Sequence, residues 1–270
     1  MIIAVDTGGT HTRIARFNDE GFLLQSTKFP TPKPIDEYVT LVTENIRLVA
    51  AGEPISVISM ALPGVIRDGV AEWCVNLGWE HVPMRELIAQ QFPDTTILVD
   101  NDANLAGLAS MRRLNPMPRC GLYITIGTGI GTALVLEGEL HDALRDCEGG
   151  HMLLEYKGKS VEWEEIASGR AFNALFGTLS DDTPLEAWPV IAERISVGLR
   201  ALVAFVQPDI VVIGGGVGAH TDKFSSLLFG LLAESLPASI APPQIIAAPH
   251  PEETVLYGCY DNARAATTTD

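Results

Sequence analysis

The chain has 270 residues, enough for one large domain or two lobes, and its 47% hydrophobic and 19% charged content gives it a sizeable core. Its formal net charge of −16 repels nucleic-acid phosphates and anionic membranes over the general surface, so neither is expected as a partner. That charge leaves room for a nucleotide, because a few backbone amides at a glycine loop hold phosphates locally.

The four cysteines, Cys74, Cys120, Cys147 and Cys259, form no CxxC pair, which points to reduced thiols in a cytoplasmic protein. The N-terminus lacks the basic and apolar regions of a secretory signal. The most apolar window, Gly121–Leu136, is interrupted by Gly127, Gly129 and Gly131 and makes a poor membrane span. Disorder is expected only in the tail Ala265–Asp270.

In chain order, Ile2–Val5 is a strand, Asp6-Thr7-Gly8-Gly9-Thr10 a glycine turn, and Ile14–Phe17 a second strand closed by Asp19-Glu20-Gly21. Leu23–Phe29 is a third strand. Ile35, Val39, Val42, Ile46 and Val49 recur at helical spacing and predict a helix over 35–51. Strands follow at Ser56–Ala61, ending in Pro63-Gly64, and at Thr96–Val99, ending in Asp100-Asn101-Asp102, with a helix over Ala103–Arg113. Asn115-Pro116-Met117-Pro118 reads as a connector. The pattern then restarts with strand Gly121–Ile126, turn Gly127-Thr128-Gly129-Ile130-Gly131, strand Thr132–Leu136 and turn Glu137-Gly138-Glu139. Laid over the N-terminus, Thr7 meets Thr128 and Gly8 meets Gly129, a weak internal repeat that two unrelated glycine hairpins also produce by chance. Ile191 to Val206 mark a helix face, Asp209–Ile213 is a strand covered on both faces, and Gly214-Gly215-Gly216 follows. Further helices are expected over Asp222–Leu236 and from near Pro251. The whole reads as α/β, with two similar lobes and an active-site cleft between them. The lobes are expected at 1–114, completed by a C-terminal helix 252–266, and at 115–251.

Three apolar strands end in glycine-rich turns. Gly8, Gly9 and Thr10, Gly127, Thr128 and Gly129, and Gly214, Gly215 and Gly216 are therefore candidate phosphate and nucleotide contacts. Asp6 offers a carboxylate to Mg²⁺, directly or through water. A plain tight hairpin is the competing structural reading of Asp6–Thr10. No turn fits GxxxxGK[ST], and none opens a helix as GxGxxG. In Asp100-Asn101-Asp102-Ala103-Asn104, one aspartate suits proton acceptance and an asparagine suits hydroxyl binding, while a helix cap is the alternative. Glu148 and His151, three apart around two glycines, suit a polyhydroxylated ligand. A surface or structural pair is the alternative.

These motifs, taken in order, resemble the ROK family of sugar kinases in the actin-like ATPase superfamily: DxGGT at Asp6–Thr10, NDAN at Asn101–Asn104, GTGIG at Gly127–Gly131 and E-x-G-H at Glu148–His151. The similarity spans about Ile2 to Ala265. It implies an ATP- and Mg²⁺-dependent kinase acting on a hexose, glucose first, usually at the 6-hydroxyl. Mannose, fructose, N-acetylglucosamine and N-acetylmannosamine are alternatives, as is polyphosphate as donor. Asp102 matches the family base. Asn101, Glu148, His151 and Glu164 match sugar ligands, and Asn76, in Asn76-Leu77-Gly78-Trp79, falls in a further sugar-side stretch. Ile210–Gly218 resembles the adenosine-side strand and turn. A homodimer is implied by resemblance. The family's cysteine-rich zinc loop has no counterpart, because Glu155–Glu164 holds no cysteine, so zinc is not expected and Trp163 is a candidate for ordering the loop by burial. His11 stands where Lys or Asn is common. Family repressors carry a DNA-reading helix pair ahead of the first hairpin, which here begins at residue 2. A non-catalytic sugar-binding sensor is the alternative of a different class.

Overall fold

The computed structural model describes residues 1–249 and 253–268. The chain divides into two compact units, Met1–Ala109 with Glu252–Asp270, and Ser110–Pro251.

The first unit contains β1 (Ile2–Thr7), β2 (His11–Phe17), β3 (Leu23–Pro30), α1 (Ile35–Ala50), β4 (Val57–Leu62), β5 (Val65–Arg67), β6 (Val70–Cys74), β7 (Trp79–Val82), α2 (Met84–Ala89), β8 (Thr96–Asn101) and the start of α3 (Asp102–Arg112). Its main sheet has the order β3-β2-β1-β4-β8, and β5, β6 and β7 form a separate small sheet. β1, β2 and β3 pair antiparallel, whereas β1, β4 and β8 run parallel. The interior strand β4 is buried along its whole length, as its Val-Ile-Ser-Met-Ala-Leu sequence requires of a strand covered on both faces. β3 is largely exposed and ends in Lys28-Phe29-Pro30, residues that suit a sheet edge. α1 buries Tyr38, Val42, Ile46 and Val49 at the predicted spacing.

The second unit contains β9 (Cys120–Ile126), β10 (Ile130–Leu136), β11 (Glu139–Leu140), β12 (Leu153–Tyr156), β13 (Lys159–Glu162), α4 (Trp163–Ala167), α5 (Gly169–Phe176), α6 (Ala187–Val206), β14 (Ile210–Gly214), α7 (Gly215–Gly218), α8 (Thr221–Ser235) and β15 (Gln244–Ala247). Its sheet runs β11-β10-β9-β14-β15. Again the first three strands pair antiparallel and the last two join in parallel. The two main sheets share one topology, so the weak repeat at the two glycine turns is a real repeat of architecture.

α9 (Thr254–Thr268) belongs to the first unit. It joins α3 closely: a Cβ on Gly258 would lie 1.9 Å from the Leu105 carbonyl oxygen. Tyr257 and Tyr260 meet Phe17 with ring centroids 5.4 and 5.2 Å apart. Ala265–Thr268, read from sequence as tail, continues this helix. The expected start near Pro251, the lobe-completing residue Glu252 and the last two tail residues lie outside the described residues. No described helix is long and apolar enough to cross a membrane.

Candidate active site

In each main sheet, the glycine turn follows the carboxyl end of a parallel strand, the region where α/β sheets bind ligands. In the first unit, Asp6 on β1, Ala61 on β4 and Asp100 on β8 lie in one cross-strand register. Asp6, the Gly64 turn and Asp102 therefore cluster at the same end of this sheet.

The first glycine turn is held from several sides. Gly8 donates its N–H to the His11 carbonyl at 2.9 Å, and Thr31 Oγ1 donates to the Gly8 carbonyl at 2.8 Å. The Lys33 ammonium donates to the Gly9 carbonyl at 2.9 Å and also to the Asn76 carbonyl. Trp79 Nε1 in turn donates to the Lys33 carbonyl at 2.7 Å. Lys33 therefore ties the phosphate turn to the Asn76–Trp79 stretch, and Asn76 itself approaches Gly9 closely. Burial pushes the Asp6 carboxyl up to about 6, with the Arg13 guanidinium partly opposing it. A half-buried carboxylate at this turn fits a role beside a divalent cation, which would supply the missing charge balance.

Asp102 is the first residue of α3, and its Oδ1 accepts from the Ala103 N–H at 2.8 Å. Its side chain thus stands at the positive end of the helix dipole. It lies near the Cys74 thiol, which burial and the Asp102 charge push up to about 12. Asn101 behaves largely as the cap that its sequence position allowed. Its Oδ1 accepts from Ala103 and Asn104 N–H at 2.8 and 3.1 Å, and its Nδ2 donates to the Gly64 carbonyl at 2.8 Å. One amide hydrogen is left for a hydroxyl ligand. Asp100 is buried and accepts from the Asn101 N–H and from Asn104 Nδ2.

In the second unit, Gly127 and Thr128 of the second turn, Gly169, Arg170 and Asn173 of α5, Thr178 and Leu179 after it, and Gly216 and Val217 of α7 line one cavity of about 330 Å³. Ile126, Leu179 and Val217 supply apolar surface of the kind a flat heterocycle occupies. The turn is anchored by the Gly169 N–H, which donates to the Gly127 carbonyl at 2.7 Å. Two glycines of the triplet are also required by packing. Gly214 ends β14 beside Tyr123, and Gly215, at φ +75°, opens α7 against Ile126, so both are taken up by close approach of the chain and only Gly216 reaches the cavity. Val217 falls in the Ile210–Gly218 stretch, whereas Arg170, Asn173, Thr178 and Leu179 were not singled out from sequence; the amphipathic stretch Gly169–Phe176 was the local signal for Arg170 and Asn173.

Glu148 precedes the short turn Gly149–His151, which lies on β10. A Cβ on Gly150 would sit 2.0 Å from the Ile130 carbonyl oxygen, a backbone atom that cannot yield. Gly150→Ala is therefore expected to lower the thermal midpoint by about 5 °C or more, as overfilled sites of 1–3 kcal/mol do. A scanning thermal-unfolding measurement checks this. Glu164, on α4, faces the second turn: its Oε2 accepts from the Ile130 N–H at 3.2 Å, and Oε1 lies 3.5 Å from Arg170.

His151, Glu162 and Glu164 offer donor atoms within 4.8 Å of one another. One imidazole and two carboxylates without a thiolate do not fit a cysteine-rich structural zinc site. Both carboxylates also already accept hydrogen bonds. Trp163 of this loop is fully buried against Gly198 of α6 and donates to the Arg194 carbonyl at 3.3 Å.

Comparison with known proteins places the fold and the family. The ROK hexokinase from Thermus thermophilus superposes with a TM-score of 0.83 at 26% identity, covering 100% of this chain and 99% of that one. A ROK family glucokinase from Streptomyces griseus, solved in complex with glucose and AMPPNP, superposes with a TM-score of 0.82 at 22% identity, covering 98% and 99%. The N-acetylmannosamine kinase of Vibrio vulnificus is 30% identical over 250 residues, 81% of this chain and 84% of its own length. The family model described as ROK family matches residues 2–261, and the chain belongs to that family.

Proposed function

We propose that this ROK-family sugar kinase transfers the γ-phosphoryl group of ATP to the 6-hydroxyl of a hexose, glucose first, with Asp102 as the general base. The observation that carries this reading is the pair of aspartates at one end of the first sheet. Asp6 is half-buried beside a glycine turn, and Asp102 stands at a helix N-terminus at the same strand ends. Phosphoryl transfer needs an acceptor hydroxyl held in line and relieved of its proton, and most of its catalysis is positioning and charge stabilisation. Asp102 accepts the 6-hydroxyl proton. Asn76, Asn101, Glu148, His151 and Glu164 bind the remaining hydroxyls. The Gly8 and Gly127 N–H groups close their own hairpins, so the backbone N–H groups of Gly9, Thr10, Thr128 and Gly129 hold the phosphates, and the cavity at Thr128, Leu179 and Val217 takes the adenosine. Mg²⁺ beside Asp6, directly or through water, supplies charge neutralisation when the nucleotide is bound. The same reading makes the protein a cytoplasmic homodimer.

A second donor is favoured by one feature. Arg13 and Lys28 are cross-strand partners, and with His11, Gly8 and Asp6 they line a cavity of about 300 Å³ beside the first turn. Two cations and an imidazole there suit a longer phosphate chain, so polyphosphate is the alternative donor.

The test is a steady-state assay detecting the sugar phosphate, with Mg²⁺ and either ATP or polyphosphate. The acceptors are glucose, mannose, fructose, N-acetylglucosamine and N-acetylmannosamine, with 6-deoxyglucose as control. Turnover of glucose with ATP and none of 6-deoxyglucose is expected. Turnover with polyphosphate alone would replace the donor, and turnover of 6-deoxyglucose would refute the 6-hydroxyl assignment.

A further inference from the structure

Glu162 carries none of the roles described above, yet three interactions converge on it. It is the last residue of β13 and the N-cap of α4, in a reciprocal capping box: its side chain accepts from the Glu165 N–H, and its own N–H donates to Glu165 Oε1 at 3.0 Å. Its Oε2 lies 2.9 Å from His151 Nδ1. Its backbone pairs with Leu153, and the next residue, Trp163, donates its N–H to the Met152 carbonyl at 3.0 Å. One carboxylate thus links the turn that carries His151 to the helix that carries Glu164. Through Glu164 it reaches the Ile130 N–H at the end of the second glycine turn.

An imidazole can donate from either nitrogen, and the partner of one nitrogen decides what the other presents. With Nδ1–H given to Glu162, Nε2 of the half-exposed His151 ring is the acceptor for a ligand hydroxyl. Glu148, Glu162 and Glu164 all raise the affinity of this ring for a proton, the Glu162 hydrogen bond most of all.

We propose that Glu162 is a positioning residue for the sugar site: its carboxylate fixes the tautomer and orientation of His151, and through its cap the placing of Glu164, so that a hydrogen-bonded pair holds this loop without a metal ion. The proposal rests on the reading of His151 and Glu164 as sugar ligands. Wild-type turnover is therefore measured first, and its absence counts against that reading and not against the pair itself.

Glu162→Asp and Glu162→Gln separate the two roles. Aspartate is a strong N-cap but one methylene shorter, so it keeps the cap and loses His151. Glutamine keeps the reach and an acceptor oxygen. We expect Glu162→Asp to raise the KM for sugar about tenfold, the worth of one such hydrogen bond, with the KM for ATP and the thermal midpoint unchanged. Glu162→Gln is expected to recover most of that loss. An activity-independent readout is long-range proton–nitrogen NMR of ¹⁵N-histidine protein, with the His151 signals assigned by their disappearance in His151→Asn. The wild type is expected to show the Nδ1–H form at His151, and Glu162→Asp a shift toward Nε2–H. An unchanged tautomer in Glu162→Asp would overturn the proposal, as would a thermal midpoint that falls while the KM for sugar stays put. Stoichiometric zinc in the purified protein, lost in Glu162→Asp, would overturn it as well, by making the cluster a metal site.

Discussion

Asp102→Asn is expected to lower kcat by roughly 10³-fold, within the 10²–10⁴-fold range of a general base, and to leave the KM for sugar within a few-fold of wild type. Asparagine has the shape of aspartate, and its Oδ1 still accepts the Ala103 N–H that now bonds Asp102 at 2.8 Å. The cap of α3 therefore survives, and only a charge–dipole contribution of about 0.3–1 kcal/mol is lost. What disappears is the proton acceptor in the transition state, which is a loss in kcat and not in binding. Steady-state kinetics together with sugar binding by calorimetry measure both halves. A kcat close to wild type would remove Asp102 from the mechanism, and a sugar affinity that collapsed with kcat would make it a binding residue.

Asp6→Asn is expected to inactivate the enzyme and at the same time stabilise it. Burial holds the Asp6 carboxyl at about 6 in the folded protein against 3.8 for the ordinary group. Here the folded state binds the proton more tightly than the unfolded state, the reverse of a salt-bridged aspartate. Stability therefore falls as pH rises from about 4 to about 6, and above that the folded protein carries the full burden of a buried charge. That burden is about 3 kcal/mol, at 1.36 kcal/mol for each tenfold difference in proton affinity. Asparagine removes it, so the variant should gain several degrees in thermal midpoint at pH 7. The gain should shrink as pH falls through 6 and vanish below about pH 4. Thermal unfolding of both proteins from pH 3.5 to 8 checks the sign. A gain independent of pH would mean that the charge is not its source. Adding MgATP should raise the midpoint of the wild type and not that of the variant.

The parts legible in the sequence are those fixed by local pattern. Asp6–Thr10 and Gly127–Gly131 follow apolar runs and precede others, so both hairpins could be read directly and their repeat only weakly, and the structure returns them as two sheets of one topology. Ile35–Ala50 and Ala187–Val206 carry helical periodicity and are helices. The small sheet of β5, β6 and β7 was missed although Asp68-Gly69, a two-residue turn with both φ angles positive, was its plain signal. The β12–β13 hairpin turns on Lys157-Gly158, a pair less diagnostic than Asn-Gly, and its strands are only four residues long.

The site was legible to the extent that it lies in short contiguous motifs. Lys33 had no motif at all, and its role at Gly9 and Asn76 exists only because the fold brings together residues 24 and 43 positions apart. A glycine triplet looks the same in sequence whether its bare backbone serves a phosphate or close packing, and the packing of Gly214 on Tyr123 and of Gly215 on Ile126 appears only in the fold. Glu162 stayed invisible for a related reason: a glutamate before a tryptophan says nothing until His151 is folded back to 2.9 Å from it.

The most direct test of the central claim is a single-turnover reaction of the purified wild-type protein with ATP, Mg²⁺ and glucose, quenched and resolved for both products. The expected result is one hexose 6-phosphate formed for each ADP, at a rate that collapses in Asp102→Asn. ADP released without a sugar phosphate, or the same burst of sugar phosphate from Asp102→Asn, would contradict the account.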